Sequence, residues 1–543
     1  MKSFLDYIWN TKWALTLTAG ILLGLSYPPI PLPFLVFPAF FLIFRIIDLS
    51  SSAREAAYWT YPAFVIWNLI VTYWLMLATL AGGIAAIIAN SAVMTVPVML
   101  QYYFQEKKRL KPWIIALLQA GCWLSYEYLH HQWDLAWPWL TVGNAWANAP
   151  QLVQYISVTG YWGISFWVLF SCALAYQLFK KPQQAVKVAL ATVLLIFPLW
   201  SFAITLFSGS QKTAEKQEVV VVQPNFDSYK PNGGYENSRK ATGHLLHLTD
   251  SVRTKNTKLV VWPENAIQTS MFNTITNNDV ATDTKKMLLA RADKWNATII
   301  AGATYFQYFN NGKEPELPYP GRRWDYLPYN AALGFIPHKP MQVYRKHNLV
   351  PIVERVPFVR FLNDIDIFGW INWNTEQGYG RGEKTNQFSV GDTKTPALVC
   401  YDSVFPGWIR NFVQKGAGYL TIITNDGWWG DTSGHEQHFA YARLRAIEFD
   451  RWIVRSANNG ISGIIAPNGS LKVKTDYWDT TAFRYDVPVI EYKTLYARFG
   501  DWLPIFLLII TLGSFGYLLI SSKILQSRDY SSSIKERTPS SQN

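Results

Sequence analysis

Eight runs of predominantly apolar residues constrain this chain more than any other feature, at 13–27, 31–47, 57–79, 82–104, 113–129, 152–179, 186–207 and 503–522. A helix needs about 20 apolar residues, within a range near 17–25, to cross the hydrocarbon core of a bilayer. The runs predict a multi-span α-helical membrane domain of about eight spans. Residues 1–210 form its N-terminal part with about seven spans, and 503–522 form a C-terminal transmembrane helix. Between them lies an extramembrane domain at 217–492, and 523–543 form a cytoplasmic tail, Ser-rich and charged from 526 and expected to be disordered. The first two runs are short and are separated by Pro28, Pro29, Pro31 and Pro33, which leaves one broken hairpin as an alternative to two spans. The run after Lys12 has no evident small-residue cleavage site and further runs follow it, so it is expected to be a span and not a cleaved signal peptide. Of the 543 residues, 50% are hydrophobic and only 16% charged, against about 25% charged in soluble domains. That balance excludes a disordered chain, a coiled coil and a nucleic-acid-binding tail protein.

The net charge is +12 and the isoelectric point near 9.3. Where the cations sit decides what that means. With the N-terminus inside, the cytoplasmic segments hold Lys2 and Lys12; Arg45 and Arg54; Lys107, Lys108, Arg109 and Lys111; Lys180, Lys181 and Lys187; and Lys523, Arg528, Lys535 and Arg537. The opposite short loops, 28–30, 80–81 and 130–151, hold no Lys or Arg. This is the positive-inside bias, and it predicts that 208–502 lie outside the cytoplasm. The Trp-rich segment 130–150 reads as an interfacial or re-entrant piece on the outer side.

Residues 217–492 have a different texture. Strand-like runs occur at 219–224, 259–264, 298–305, 396–402 and 419–426, with helical patterns at 237–254 and 279–295. Such alternation predicts an α/β sheet domain, and several strands end on a polar residue, where α/β sheets place their sites. Cys122 and Cys172 fall inside predicted spans as small apolar fillers. Cys400 is the one thiol of the outer domain, so it is either inert core or kept for reactivity.

Acyl transfer through cysteine needs a thiolate, a base for its proton and a positive donor for the tetrahedral oxyanion. Glu264 in VVWPENA, Lys346 in VYRKHNLVP and Cys400 in ALVCYD supply those three residue types. A Glu serves as base when burial raises its pKa. Taken singly, Glu264 could cap a turn, Lys346 could be a surface charge and Cys400 could be core.

The ordered set WPENA, YRKHNLVP and VCYD resembles the Glu–Lys–Cys signature of the nitrilase, or carbon–nitrogen hydrolase, superfamily. Framed by seven preceding spans and one following, the chain resembles the bacterial apolipoprotein N-acyltransferase family within it. The segments at 425–449, 455–469 and 496–504 agree with that family, and the resemblance runs to about residue 522. It implies an α-β-β-α nitrilase-like sandwich, with Glu264 as general base, Lys346 as oxyanion cation and Cys400 as nucleophile. It makes the N–H of Tyr401 a second oxyanion donor and Glu354 the residue that orients the lysine. Tyr401 and Asp402 match the two residues after the cysteine. The chain departs from the family at Val353, where Gly is usual, at Asp402, where Glu is common, and at Tyr229, the nearest aromatic to a position that often holds Trp.

The implied reaction is ping-pong. A phospholipid, expected to be phosphatidylethanolamine, acylates Cys400, and the α-amine of the S-diacylglyceryl-cysteine of an apolipoprotein takes the acyl group from the thioester. No cofactor and no metal is implied, and a monomer in the bacterial inner membrane with a periplasmic catalytic domain is expected. A membrane-tethered nitrilase-like amidase or hydrolase would share the same residues and differ only in passing the acyl group to water. A membrane scaffold or transporter with a degenerate domain would not need all three reactive residues. Segment 356–374 is aromatic and poor in charge, and is either ordinary core or an arm that dips into the interface and gates lipid access, with Phe368, Trp370 and Trp373 as substrate contacts. A second candidate arm, 313–329, offers Arg322 and Arg323 to lipid phosphates.

Overall fold

The computed structural model describes residues 9–105, 110–207, 215–273, 279–309, 319, 321, 325–364 and 378–537. Each predicted apolar run overlaps a helix, though not all of these helices are long. The N-terminal body comprises α1 (Lys12–Leu25), α2 (Val36–Leu49), α3 (Ala53–Thr72), α4 (Leu80–Gln105), α5 (Pro112–His130), α6 (Trp162–Lys180) and α7 (Gln184–Phe207). The first two runs are separate helices packed on each other, so the Pro cluster makes a turn between them. The start of α3 is fixed locally: Ser52 accepts from the Glu55 N–H at 3.1 Å, and Glu55 reaches back to the Ser51 N–H at 2.7 Å, a variant of the capping box.

Three described helices, α4, α6 and residues 184–206 of α7, are long and apolar enough to cross a bilayer. α1 and α2 have 14 residues each, about 21 Å of helix at 1.5 Å per residue, less than the hydrocarbon core. The run predicted over 57–79 is interrupted: α3 stops at Thr72, and a single turn at Leu75–Ala78 precedes α4. That break turns Trp74 inward, where it is buried.

Segment 130–150 is a series of tight turns at Pro138–Leu140, Val142–Trp146 and Pro150–Leu152, with Trp139 and Trp146 buried. Irregular backbone inside a protein must satisfy its polar groups. Glu127 accepts the Val142 N–H at 2.8 Å, and Asn144 donates to the carbonyl of Pro138 at 2.9 Å.

Among the described residues the outer domain has two large sheets and a small two-stranded one, Phe388–Val390 with Thr393–Thr395. The first is built from β1 (Lys216–Gln223), β2 (Thr257–Val261), β3 (Thr298–Phe309), β4 (Asp325–Phe335) and β5 (Gln342–Arg345). The second has β6 (Ala397–Val399), β7 (Leu420–Thr424), β8 (Ile453–Ala457), β9 (Gly463–Ile465) and β10 (Leu471–Lys474). A last strand, β11 (Thr481–Pro488), returns to the first sheet beside β1. The orders are β11-β1-β2-β3-β4-β5 and β10-β9-β8-β7-β6. β1, β2 and β3 are parallel, as are β6, β7 and β8, and the flanking strands are antiparallel.

Alternation along β1 explains the layering. Val219 and Val221 join a core with Leu398 and Ile422 of the second sheet. Val220 and Val222 face the other way, into a core with Leu245 of α8 (Ser238–Val252) and Leu288 of α9 (Asp279–Trp295). The second sheet is covered by α10 (Pro406–Gln414) and α11 (Ser433–Phe449), through residues such as Ile409, Phe412 and Leu444. The result is an α-β-β-α sandwich. Ser456 Oγ donates to the Val222 carbonyl at 2.8 Å and ties the two sheets together.

The chain ends in α12 (Trp502–Arg537), which packs on α5. The disordered tail expected from residue 526 is corrected here as far as Arg537, because helix continues through the Ser-rich stretch. Propagating an existing helix adds a hydrogen bond for each residue fixed, and no Gly or Pro interrupts 517–538. Residues 538–543 lie outside the described residues.

Candidate active site

Two strand ends and one loop bring the predicted triad together. β2 runs into Trp262 and Pro263 and delivers Glu264. The loop after β5 carries Lys346. β6 ends at Val399 and places Cys400 at the head of a short 3-10 turn, Cys400–Val404. All three are buried: Glu264 is 5% exposed, Lys346 1% and Cys400 7%. Backbone fit fixes Glu264 closely. A Cβ on Gly302 of β3 would stand 2.5 Å from the Cα of Glu264, so only glycine lets the neighbouring strand pass there.

The carboxylates and the lysine form one network. Lys346 Nζ lies 2.8 Å from Glu354 Oε1 and 3.7 Å from Glu264 Oε1. The Asn330 amide bridges both acids, donating to Glu264 Oε1 at 2.6 Å and Glu354 Oε1 at 2.9 Å. The Asn425 N–H donates to Glu264 Oε2 and the Val350 N–H to Glu354 Oε2, each at 2.8 Å. Burial pushes the Glu264 carboxyl above its ordinary range, with Lys346 opposing and Glu354 reinforcing the rise. Burial alone would lower Lys346, but Glu354, Cys400 and Glu264 outweigh it and hold the ammonium firmly charged. The Cys400 thiol is raised, by burial first and then by Glu264, while Lys346 pulls it down. Burial and Glu264 thus favour the neutral thiol of Cys400, and Lys346 opposes them.

Cys400 adopts φ 46°, in the left-handed region. For a non-glycine residue this conformation is uncommon and stores strain at a functional turn. Two groups hold it: Ser403 Oγ donates to the Cys400 carbonyl at 2.7 Å, and His438 Nε2 lies 3.3 Å from the same oxygen. The N–H of Tyr401 follows at the opening of the turn, where helical N–H groups lack an internal partner.

Asp402 has a legible task in spite of its short side chain. It accepts from Tyr344 Oη at 2.7 Å, the Asn348 N–H at 2.8 Å and the Asn348 amide at 3.0 Å. It thereby pins the loop that carries Lys346. Tyr401 Oη donates to the carbonyl of Ala136 at 2.9 Å, fastening the Cys400 turn to the helical body. Tyr229 is not brought to this cluster. It is 65% exposed and stacks edge-on against Trp428, donating to that residue's carbonyl at 3.1 Å. Phe368, Trp370 and Trp373 lie outside the described residues, as do Arg322 and Arg323. Of the first arm, the described part places the Phe358 N–H 2.9 Å from Asp134 of the helical body and leaves Phe361 exposed.

Sequence reasoning did not single out Asn330, nor the cluster behind Cys400. There, Asp426 accepts from Arg455 at 2.7 Å and Thr424 Oγ1 at 2.7 Å, and His438 Nδ1 lies 2.9 Å away. Arg455 heads the influences that pull Asp426 below its ordinary range against burial. Cys400, Asp426 and His438 offer three potential metal ligands within 4.8 Å of one another. The Asp426 oxygens are already engaged by Arg455, His438 and Thr424, so the donor set fits a hydrogen-bonded support better than a metal centre. A cluster of tryptophans adjoins it: Trp139 packs on His438 at 5.7 Å and on Trp429 at 5.9 Å, and Trp74 on Trp429 at 4.6 Å. Trp74 and Trp139 come from the helical body, and both donate to Gln437 of α11.

Residues 19–174 match the apolipoprotein N-acyltransferase N-terminal domain, and residues 219–491 match carbon-nitrogen hydrolase. Apolipoprotein N-acyltransferase of Chlorobaculum tepidum is 31% identical over 519 residues, covering 93% of this chain and 96% of that protein. Apolipoprotein N-acyltransferase 2 of Treponema denticola is 27% identical, covering 86% and 89%. Among solved structures, an amidase from Nesterenkonia sp. matches with a TM-score of 0.34 at 14% identity, covering 51% of this chain and 92% of that one. Matched over its helical body and its outer sandwich alike, the chain belongs to the apolipoprotein N-acyltransferase family.

Proposed function

We propose that this chain N-acylates the α-amino group of the S-diacylglyceryl-cysteine of apolipoproteins, with a membrane phospholipid as acyl donor and Cys400 as the covalent carrier. One observation carries the reading. The buried Glu264–Lys346–Cys400 cluster lies at the seam with the helical body, where Tyr401 bonds Ala136 and Trp139 packs on His438. A nucleophile set there meets acyl chains arriving from a bilayer.

Glu264 takes the thiol proton as Cys400 Sγ attacks the sn-1 ester carbonyl. The oxyanion forms against Lys346 Nζ and the Tyr401 N–H. Collapse breaks the ester C–O bond, and Glu264 returns its proton to the departing lysophospholipid. The acceptor amine then attacks the thioester carbonyl, losing a proton to Glu264, and the thiol is regenerated as the amide forms. The thioester keeps the ester's activation, so no nucleotide is consumed.

The same reading makes the eight helices a membrane body, with 1–210 and 503–522 spanning and 217–492 on the periplasmic side of the inner membrane. The distribution of Lys and Arg supports that orientation. Phosphatidylethanolamine as donor, a monomeric enzyme and gating by 356–374 belong to the same proposal. The test is acceptor dependence in proteoliposomes. Phospholipid acyl groups should pass to a diacylglyceryl-cysteine peptide, with little free fatty acid formed in its absence. Steady release of fatty acid without transfer to the peptide would make the chain a hydrolase.

A further inference from the structure

Of the three helices long and apolar enough to cross a bilayer, α7 is the barest. Only 6% of its most apolar stretch is buried in the protein, and Leu195, Leu199, Phe202 and Leu206 stand exposed along it. Its last turns open onto a cavity of 860 Å³ at the foot of the outer domain, lined by none of Glu264, Lys346 and Cys400. Trp200 and Ile204 form the wall on the helix side. The opposite wall carries Lys216 at the start of β1, Lys472 on β10, Lys493 and Arg498, against one carboxylate, Asp450. Lys493 is already engaged by the carbonyl of Gln414 at 2.8 Å. Lys216, Lys472 and Arg498 are exposed. Ser470 lines the same space.

We propose that this cavity is a second phospholipid site, selective for an anionic headgroup and separate from the acyl-donor site. Acyl chains lie along the bare face of α7. The headgroup phosphate sits among Lys216, Lys472 and Arg498. The chemistry is two-part and so is the cavity: an apolar wall continuous with a helix that needs lipid, and a cationic wall at that helix's outer end. Juxtamembrane cations attract anionic lipid in this way, and Trp at the level of Trp200 suits the headgroup region. The occupant would clamp the sandwich to the membrane surface at its foot, on the side served by α7. The inference rests on reading the helices as a membrane body with the sandwich on the periplasmic side.

The test uses the full-length protein in nanodiscs of dioleoylphosphatidylcholine doped with dioleoylphosphatidylglycerol. Native mass spectrometry after release from the discs counts the lipids retained. The variant is Lys216→Gln, Lys472→Gln and Arg498→Gln combined, none of which belongs to the catalytic network. The wild type should retain phosphatidylglycerol in preference to phosphatidylcholine. The variant should lose that preference, with an apparent affinity about a hundredfold lower for three cations removed. Acylation of Cys400 by a small soluble ester should be unchanged, which shows the variant to be folded. Should the triple variant misfold, Lys472→Glu alone, on an exposed strand position, should still weaken retention. Equal retention of phosphatidylglycerol by wild type and variant would overturn the site while leaving the membrane reading intact. Absence of any bound lipid from both would instead overturn the membrane reading. Displacement of the lipid by inorganic phosphate, but not by chloride at matched ionic strength, would show a free-anion site and overturn the lipid assignment.

Discussion

Glu264 and Asp426 are both buried carboxylates beside Cys400, one delivered by the end of β2 in the first sheet and the other by the end of β7 in the second. Burial raises the first, and its nearest cation, Lys346, is shared with Glu354. The second has Arg455 to itself at 2.7 Å, together with His438 and Thr424, and is pulled below its ordinary range. Both raise the thiol, and the proposed mechanism gives the proton transfer to Glu264, the acid whose carboxyl is raised and not lowered. Two acids at similar depth thus divide the work. In the proposed mechanism the incompletely neutralised one moves the proton, and the fully paired one supports, through His438, the strained turn on which Cys400 sits.

The largest effect expected is at the nucleophile. Cys400→Ala should abolish transfer while melting like the wild type, and normal turnover would sink the mechanism outright. Next come the groups on the reactive side. Glu264→Gln should block acyl-enzyme formation. Lys346→Ala should lower its rate by at least about 10²–10³, the usual consequence of removing one oxyanion donor. The pH profile sharpens the contrast. Glu264 must be ionised to accept the thiol proton, so acylation should fall as pH drops through its folded pKa, a limb lying above the roughly 4.3 of a free glutamate. Asp426, held low, contributes stability above its unfolded pKa of about 3.9, lost only as pH falls through its still lower folded value. The wild-type melt should therefore show no Asp426-dependent change across the acid limb of the rate.

On the supporting side the effect should appear in stability. Asp426→Asn leaves the buried Arg455 guanidinium without its countercharge. Breaking a buried pair in this way costs about 3–5 kcal/mol, to be read in a denaturant melt, and the acid limb of the surviving activity should stay where Glu264 puts it. A shift of that limb would mean that Asp426, and not Glu264, sets the protonation of the thiol.

Smaller still is the arm. Replacing Phe368, Trp370 and Trp373 together with Ser should slow acylation from phospholipid in bilayers and leave a small soluble ester nearly unaffected. Equal loss of both reactions in a folded variant would place the segment in the catalytic wall. Least of all is Tyr229→Ala, since that ring contacts Trp428 on an exposed rim. Aromatic pairs contribute about 0.5–1.5 kcal/mol beyond their buried area, so transfer should change by no more than a few-fold.

Much of this architecture was legible because its signals are local. Apolar runs, Pro clusters and Lys/Arg spacing mark the helices, and β2, β6 and β7 end on the residues that the motifs flag. The interruption at Tyr73–Thr79 was not legible, because its cause is a long-range contact. Trp74 turns in to meet Gly434 and Gln437, more than 350 residues away. The antiparallel partners β4 and β5 escaped for a similar reason, their pattern being decided by pairing across the sheet. Asn330 was missed because a lone Asn within a strand carries no motif. Its importance comes only from the two carboxylates that the fold brings to its amide. Asp402, one methylene shorter than the family's usual residue, still reaches the loop of Lys346 because Tyr344 and Asn348 come to it.

The central claim is that Cys400 carries the acyl group, and the most direct measurement is the intact and peptide mass of the purified protein after mixing with a phospholipid of defined sn-1 chain and no acceptor. The account predicts one acyl adduct on the peptide containing Cys400, sensitive to hydroxylamine as a thioester, absent from Glu264→Gln and discharged when the diacylglyceryl-cysteine peptide is added. Transfer of the sn-1 chain to that peptide at the wild-type rate with no adduct on Cys400 at any time would contradict it.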